Sequence, residues 1–243
     1  MIDLHCHLLP NVDDGPETVR EAIALARMAV ADGITVSVLT PHIHPVRYVN
    51  TRSSLQRTFE DFRQVLKLEG IPLAVRLGGE MRLSPESLEL ILEEEVPFLG
   101  TVDGYRIVLL EFPHPIIPVG SAAFVRKLLD MKIRPLIAHP ERNKMIMHNP
   151  EKIRPFVDMG CWLQITAGSI VGRFGDASRK TALHLLENEW VWVIASDAHN
   201  PDHRPANLSE GRDAIARLFG ASLAQRMALD RPARIIGLSP EGR

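Results

Sequence analysis

Residues 190–199 read WVWVIASDAH: six apolar residues without polar alternation, then an abrupt Ser-Asp-Ala-His. A half-exposed strand alternates apolar and polar residues. A short continuous run rich in β-branched and aromatic types fits a strand buried on both faces, as in a parallel sheet covered by helices. Asp197 and His199 then fall at the carboxyl end of that strand, the end where parallel α/β folds build their sites.

The same pattern recurs along the chain. IDLH, ITVSVLTPH, LAVRLGGE, RIVLLEF, RPLIAHPE and CWLQI are further candidate strands. Helical periodicity lies between them. Val19, Ile23, Ala26 and Val30 follow the turn-and-cap stretch DDGPET, and Leu55, Phe59, Phe62 and Leu66 repeat the spacing. Further helices are expected around 84–94, 120–131, 150–158, 178–188 and 207–228. Strands separated by helices point to parallel pairing through right-handed crossovers. A barrel of about seven or eight strands fits this pattern, with an open doubly wound sheet as the alternative. No linker, low-complexity tract or repeat divides the chain, so residues 1–243 are expected to form a single domain.

Composition narrows the function classes. At 45% hydrophobic and 24% charged the chain is of globular type, and a net charge of -2 gives no footprint for nucleic acid. Two cysteines, Cys6 and Cys161, make no disulfide framework and suggest a reducing cytoplasm. Neither has an arginine six positions later, so the Cys-x5-Arg loop of thiol phosphatases is absent. No signal-peptide pattern is apparent, and no apolar run approaches the ~20 residues that cross a bilayer.

The histidines and carboxylates gather at strand ends. His5 and His7 end the first candidate strand, His42 and His44 the second, Glu80 the third, Glu111 the fourth, His139 the fifth, and Asp197 and His199 the last. Each has an ordinary explanation alone: a solvated loop residue, a salt-bridge partner, a cap. Six of seven strands delivering such a residue at one topological position is a different matter. Buried imidazoles and carboxylates are costly unless paired or coordinated, so their convergence points to cations. Adding Asp14 gives nine candidate ligands: His5, His7, Asp14, His42, Glu80, Glu111, His139, Asp197 and His199. One zinc uses three or four ligands, so the set suits roughly two or three ions. Imidazole and carboxylate without thiolate suit Mn, Fe, Zn or Co and select none of them. Cys6 points away from its histidine neighbours and reads as core.

These motifs resemble the polymerase-and-histidinol-phosphatase (PHP) superfamily: His-x-His, TPHIHP, GGE, LLEFP, AHPER and SDAH. VDDGP, LTPH, LEFP and HPERN together look like its bacterial protein-tyrosine phosphatase branch, over Met1 to about Arg204. The resemblance implies a distorted (β/α)7 TIM-like barrel. It implies a manganese-dependent enzyme (Mg is also compatible) of capsular and exopolysaccharide systems, acting on the tyrosine-rich tail of a bacterial tyrosine kinase. It also implies a trinuclear site from the nine residues, with Asp14 rather than Asp13 as ligand, Glu80 bridging, and Arg142 and Arg204 meeting the phosphoryl group. Asn11 stands where relatives often have an acid, and His44 has no ligand role in the pattern.

Clustered divalent ions suit in-line phosphate-ester hydrolysis by an activated hydroxide, and two arginines can fork onto non-bridging oxygens. A tyrosine leaving group, with a reference pKa near 10, needs little general acid, though His199 could assist. Arg47 and Arg52, in the loop HIHPVRYVNTRS, are candidates to attract an anion at the mouth. The rival readings are a histidinol-phosphate phosphatase with a closed pocket, an amidohydrolase, and a non-catalytic scaffold. An amidohydrolase commonly places a carboxylated lysine where this chain has Glu111. Nucleic acid and membrane insertion are not expected, and an oligomer is compatible with the sequence.

Overall fold

The run ending at Ser196 forms a strand over Val191–Ala195, buried except for the half-buried Trp192. The computed structural model describes residues 1–238. In chain order the strands are β1 (Ile2–Cys6), β2 (Val36–Leu39), β3 (His42–Ile43), β4 (Ala74–Leu77) and β5 (Glu80–Arg82). They continue with β6 (Gly100–Val102), β7 (Tyr105–Glu111), β8 (Ile133–Ala138), β9 (Trp162–Thr166) and β10 (Val191–Ala195).

The fold is α/β with two parallel sheets. One runs β1-β2-β4 and the other β10-β9-β8-β7-β5-β3, with β6 as an antiparallel partner of β7. Two expected strands are each broken in two. ITVSVLTPH becomes β2 and β3, interrupted at Thr40-Pro41, because proline has no N–H for a ladder. LAVRLGGE becomes β4 and β5, interrupted at Gly78-Gly79. A Cβ at Gly78 would lie 2.8 Å from Val38 Cγ1, and one at Gly79 would lie 2.9 Å from Ile43 Cγ1, so the close approach at the bend requires glycine. β6 was not foreseen. Its three residues are paired across the Asp103-Gly104 turn, a local hairpin too short to carry a periodic signal.

The helices lie between the strands, as parallel crossovers require. Val19–Ala31 begins with the anticipated cap: Thr18 Oγ1 accepts from the Glu21 amide, and Glu21 Oε2 accepts from the Thr18 amide. Its buried stripe is Ala22, Leu25, Ala26 and Ala29; of the expected residues Ala26 is buried, Ile23 and Val30 are half-buried against the core, and Val19 is 45% exposed. In Arg52–Leu68 the expected Leu55, Phe59, Phe62 and Leu66 are all buried. Arg52 opens this helix rather than belonging to the loop before it. The expected 207–228 helix is divided at Gly220 into Ser209–Phe219 and Ala221–Gln225.

Two apolar clusters form among the described residues. The larger packs the helices on the sheets. The second joins Leu4, Val38, Ile107, Leu109, Leu136 and Val193 to Ile235 and Ile236 of the last turn described. Ile107, Leu109 and Glu111 share one face of β7 by alternation, so this cluster lies along the face that ends in Glu111. No described helix is long and apolar enough to cross a membrane.

Candidate metal centre

Register explains which side chains meet. His42 of β3 is paired with Glu80 of β5, and its Nδ1 lies 3.0 Å from Glu80 Oε2. Arg82 is paired with Glu111 of β7, and the two form a 2.6 Å ion pair. At the other side the end of β1 meets the end of β10. The Asp197 amide donates to the His5 carbonyl and the His7 amide to the Ala198 carbonyl, both at 2.8 Å. His139 follows β8 and Asp197 follows β10, both at positive φ, +32° and +53°. Such backbone costs roughly 1–3 kcal/mol for a residue other than glycine. Here it turns both side chains out of the strand's alternation and into the same cavity.

All nine residues expected from the sequence come together. Four groups have donor atoms within 4.8 Å of one another: His7-Asp14-His42-His199, His5-His7-Glu80, His5-His139-Asp197 and His42-Glu80-Glu111. Their union is the nine. Glu80 is central. Its Oε2 is 3.3 Å from both His5 Nε2 and His7 Nε2, and its Oε1 is 2.8 Å from His139 Nε2. Asp14 Oδ1 lies 3.2 Å from His42 Nε2 and 3.3 Å from His199 Nε2. Asp197 Oδ1 lies 3.2 Å from His5 Nε2, while its Oδ2 accepts from both Arg142 and Arg204.

Outer contacts orient three of the imidazoles. His5 Nδ1 faces Gln164 Oε1 at 2.8 Å, His7 Nδ1 faces Asp13 Oδ2 at 2.6 Å, and His199 Nδ1 faces the Asp197 carbonyl at 3.0 Å. Each partner is an acceptor, so each ring carries its proton on Nδ1 and presents an Nε2 lone pair inward when neutral. Lone pairs then face carboxylate oxygens. Among the described residues Glu80 Oε2, Asp197 Oδ1 and His199 Nε2 are buried without a hydrogen bond. Opposed lone pairs repel, and a cation between them removes the conflict. By the chemistry of its donors the cluster fits divalent metal ions.

The charges show the same tension. Burial pushes the His5 imidazole down, but Glu80 and Asp197 overcome it and hold its pKa at about 9. Burial alone would raise Glu80, yet His5 and His42 hold it well below the carboxylate range. Asp197 is likewise held down against burial by Arg204, His5 and Arg142. His199 differs: burial and the neighbouring His7 bring it to about 4.

The cluster floors an open pocket of about 260 Å³ whose walls include Arg142, Arg204, Arg82, Arg47, Tyr48 and His114. Arg52 is not among the lining residues. His44 lines the mouth too; its Nδ1 accepts from the Val46 and Arg47 amides at 3.2 Å and closes the turn that carries Arg47 and Tyr48. Cys6 is fully buried and donates to the Val38 carbonyl, in the larger apolar cluster. Sequence reasoning passed over Asp13, Gln164 and Arg82. Gln164 did leave a signal, as the one amide inside the apolar run CWLQI.

The fold and site define the class: α/β enzymes with a metal centre at the carboxyl ends of parallel strands. The chain belongs to the capsular polysaccharide synthesis CpsB/CapC family, whose model matches residues 1–237. Among curated relatives, the putative tyrosine-protein phosphatase CapC of Staphylococcus aureus is 34% identical over 86% of this chain and 81% of its own. The tyrosine-protein phosphatase YwqE of Bacillus subtilis is 34% identical over 92% of this chain and 87% of its own. A solved structure, from work on YwqE of Bacillus subtilis and CpsB of Streptococcus pneumoniae, unique metal-dependent tyrosine phosphatases, matches with a TM-score of 0.90. It is 31% identical and covers 98% of this chain and 94% of that one.

Proposed function

We propose that the protein is a metal-dependent protein-tyrosine phosphatase, in which the nine clustered residues hold two or three divalent ions, manganese foremost. The observation that carries this reading is the ring of inward imidazole nitrogens around Glu80 Oε2 and Asp197 Oδ1, two buried oxygens without hydrogen bonds. Bound ions supply the positive charge that makes water a nucleophile at neutral pH and neutralises phosphoryl oxygens. The chain's own residues do the rest. Gln164, Asp13 and the Asp197 carbonyl hold the imidazoles of His5, His7 and His199 in the donor tautomer. Arg142 and Arg204, both anchored on Asp197 Oδ2, meet the non-bridging oxygens. His199 commits its proton to a backbone carbonyl, so it serves as a ligand rather than as an acid. The phenolate leaves without a dedicated acid, in keeping with its low basicity.

The pocket is open on the side of the exposed Arg47 and His114, which suits a phosphotyrosine borne on a protein better than a small enclosed substrate. The tail of a bacterial tyrosine kinase is the proposed substrate, and the cytoplasm, with both cysteines free, the proposed location. The two sheets are read as parts of one distorted (β/α)7 barrel, supported by the hydrogen bonds between the end of β1 and the segment that follows β10, and residues 1–243 as one catalytic domain. Chelation is expected to abolish hydrolysis of a phosphotyrosyl peptide, and manganese to restore it. His139→Ala should cost more than the roughly 10–100-fold expected for losing an outer partner. Activity that survives both treatments, or a preference for phosphoserine, overturns the reading.

A further inference from the structure

Arg142 has an aromatic neighbour that the reaction scheme leaves unused. Its guanidinium carbon lies 4.4 Å from the centroid of the Phe174 ring. Its Nη1 meets Asp197 Oδ2 and, at 3.5 Å, Thr166 Oγ1. Among the described residues no acceptor engages its Nη2 or Nε. The guanidinium is therefore fixed by a ring on its face and a carboxylate at one corner, with its other donors uncommitted.

The turn that carries Phe174 is itself braced. Gly172 and Gly175 flank it at φ +88° and +86°, a conformation that side-chain-bearing residues resist. The Arg173 amide donates to the Gly168 carbonyl at 2.9 Å, and the Arg173 side chain pairs with Glu210 at 2.6 Å. Phe174 also lines a small cleft whose walls include Arg204. A ring face attracts a guanidinium and limits its swing without occupying any of its donors.

We propose that Phe174 is a positioning residue for phosphoryl recognition: its ring holds the Arg142 guanidinium so that the uncommitted donors face the phosphate. This rests on the reading of Arg142 as a phosphoryl contact. The test compares Phe174→Leu, which keeps apolar bulk but removes the ring, with Phe174→Tyr, which keeps the ring. Arg142→Lys is the reference, all in manganese-loaded protein whose melting temperature is recorded. The readouts are kcat and KM for p-nitrophenyl phosphate and the Kd of inorganic phosphate by calorimetry. Phe174→Leu should raise KM and the phosphate Kd together, about 3- to 10-fold, with kcat within about 2-fold. Phe174→Tyr should match the parent protein. If Phe174→Leu leaves KM and Kd unchanged, or if Leu and Tyr behave alike, the proposal is overturned. If Arg142→Lys leaves the phosphate Kd unchanged, the reading of Arg142 falls first. A Kd raised in Arg142→Lys but not in Phe174→Leu removes Phe174 alone.

Discussion

Asp13 and Asp14 are adjacent in the chain and do different work. Asp14 reaches the cluster through His42 and His199, whereas Asp13 accepts from His7 Nδ1 and from the His42 and Gly15 amides. One carboxylate offers a donor atom; the other sets a tautomer and ties the first loop to β3. Nothing local distinguishes two neighbouring aspartates, and only the resemblance to a family pattern selected Asp14. Asp13→Ala should therefore lower manganese affinity by about 10–100-fold while leaving the nine donor atoms in place. A manganese titration checks this, and unchanged affinity would mean that the 2.6 Å contact to His7 does not orient the ring. The other eight donors were readable from the sequence, since strand ends are marked by where apolar runs stop. Arg82 was not: its partner Glu111 is 29 residues away, and only strand register brings them together.

At the scale of elements, the apolar runs marked the strands but not their breaks. Gly78-Gly79 interrupts the third run just before Glu80, and the bend lets β5 pair with β3 on one side and β7 on the other. A Cβ at Gly79 would meet Ile43 at 2.9 Å and Pro97 at 3.1 Å. Gly79→Ala should push β5 off its partners and shift Glu80, with an overpacking cost of about 1–3 kcal/mol. Activity and manganese affinity should both fall, by more than the loss of stability explains. A variant that melts earlier but binds manganese normally would show that the bend is structural alone. The stripe of Val19–Ala31 is a similar case. Periodicity shows that a helix has an apolar side, but which of its residues are fully covered depends on what packs against it.

In the whole molecule, the cluster joins segments from residue 5 to residue 199, so metal binding and folding are linked. Ligands dispersed in the unfolded chain bind weakly, and the folded chain gains RT ln(1 + [L]/Kd), about 2.7 kcal/mol at 100 times Kd. Manganese should thus raise the melting temperature by about 5–10 °C for a chain of this length, and chelator should reverse the shift. A melting temperature indifferent to manganese would separate the cluster from metal binding. By itself the sequence determined the α/β class, the strand-end placement of His, Asp and Glu, and the absence of a cysteine phosphatase loop, because each is written in local pattern. Only the tertiary structure decided that nine residues share one cavity, that Glu80 sits at its centre, and that Gln164, Asp13, Arg82 and Phe174 support the groups around it. Those are long-range contacts, set by strand register, by two left-handed residues and by the meeting of β1 with β10, and no local window of sequence contains them.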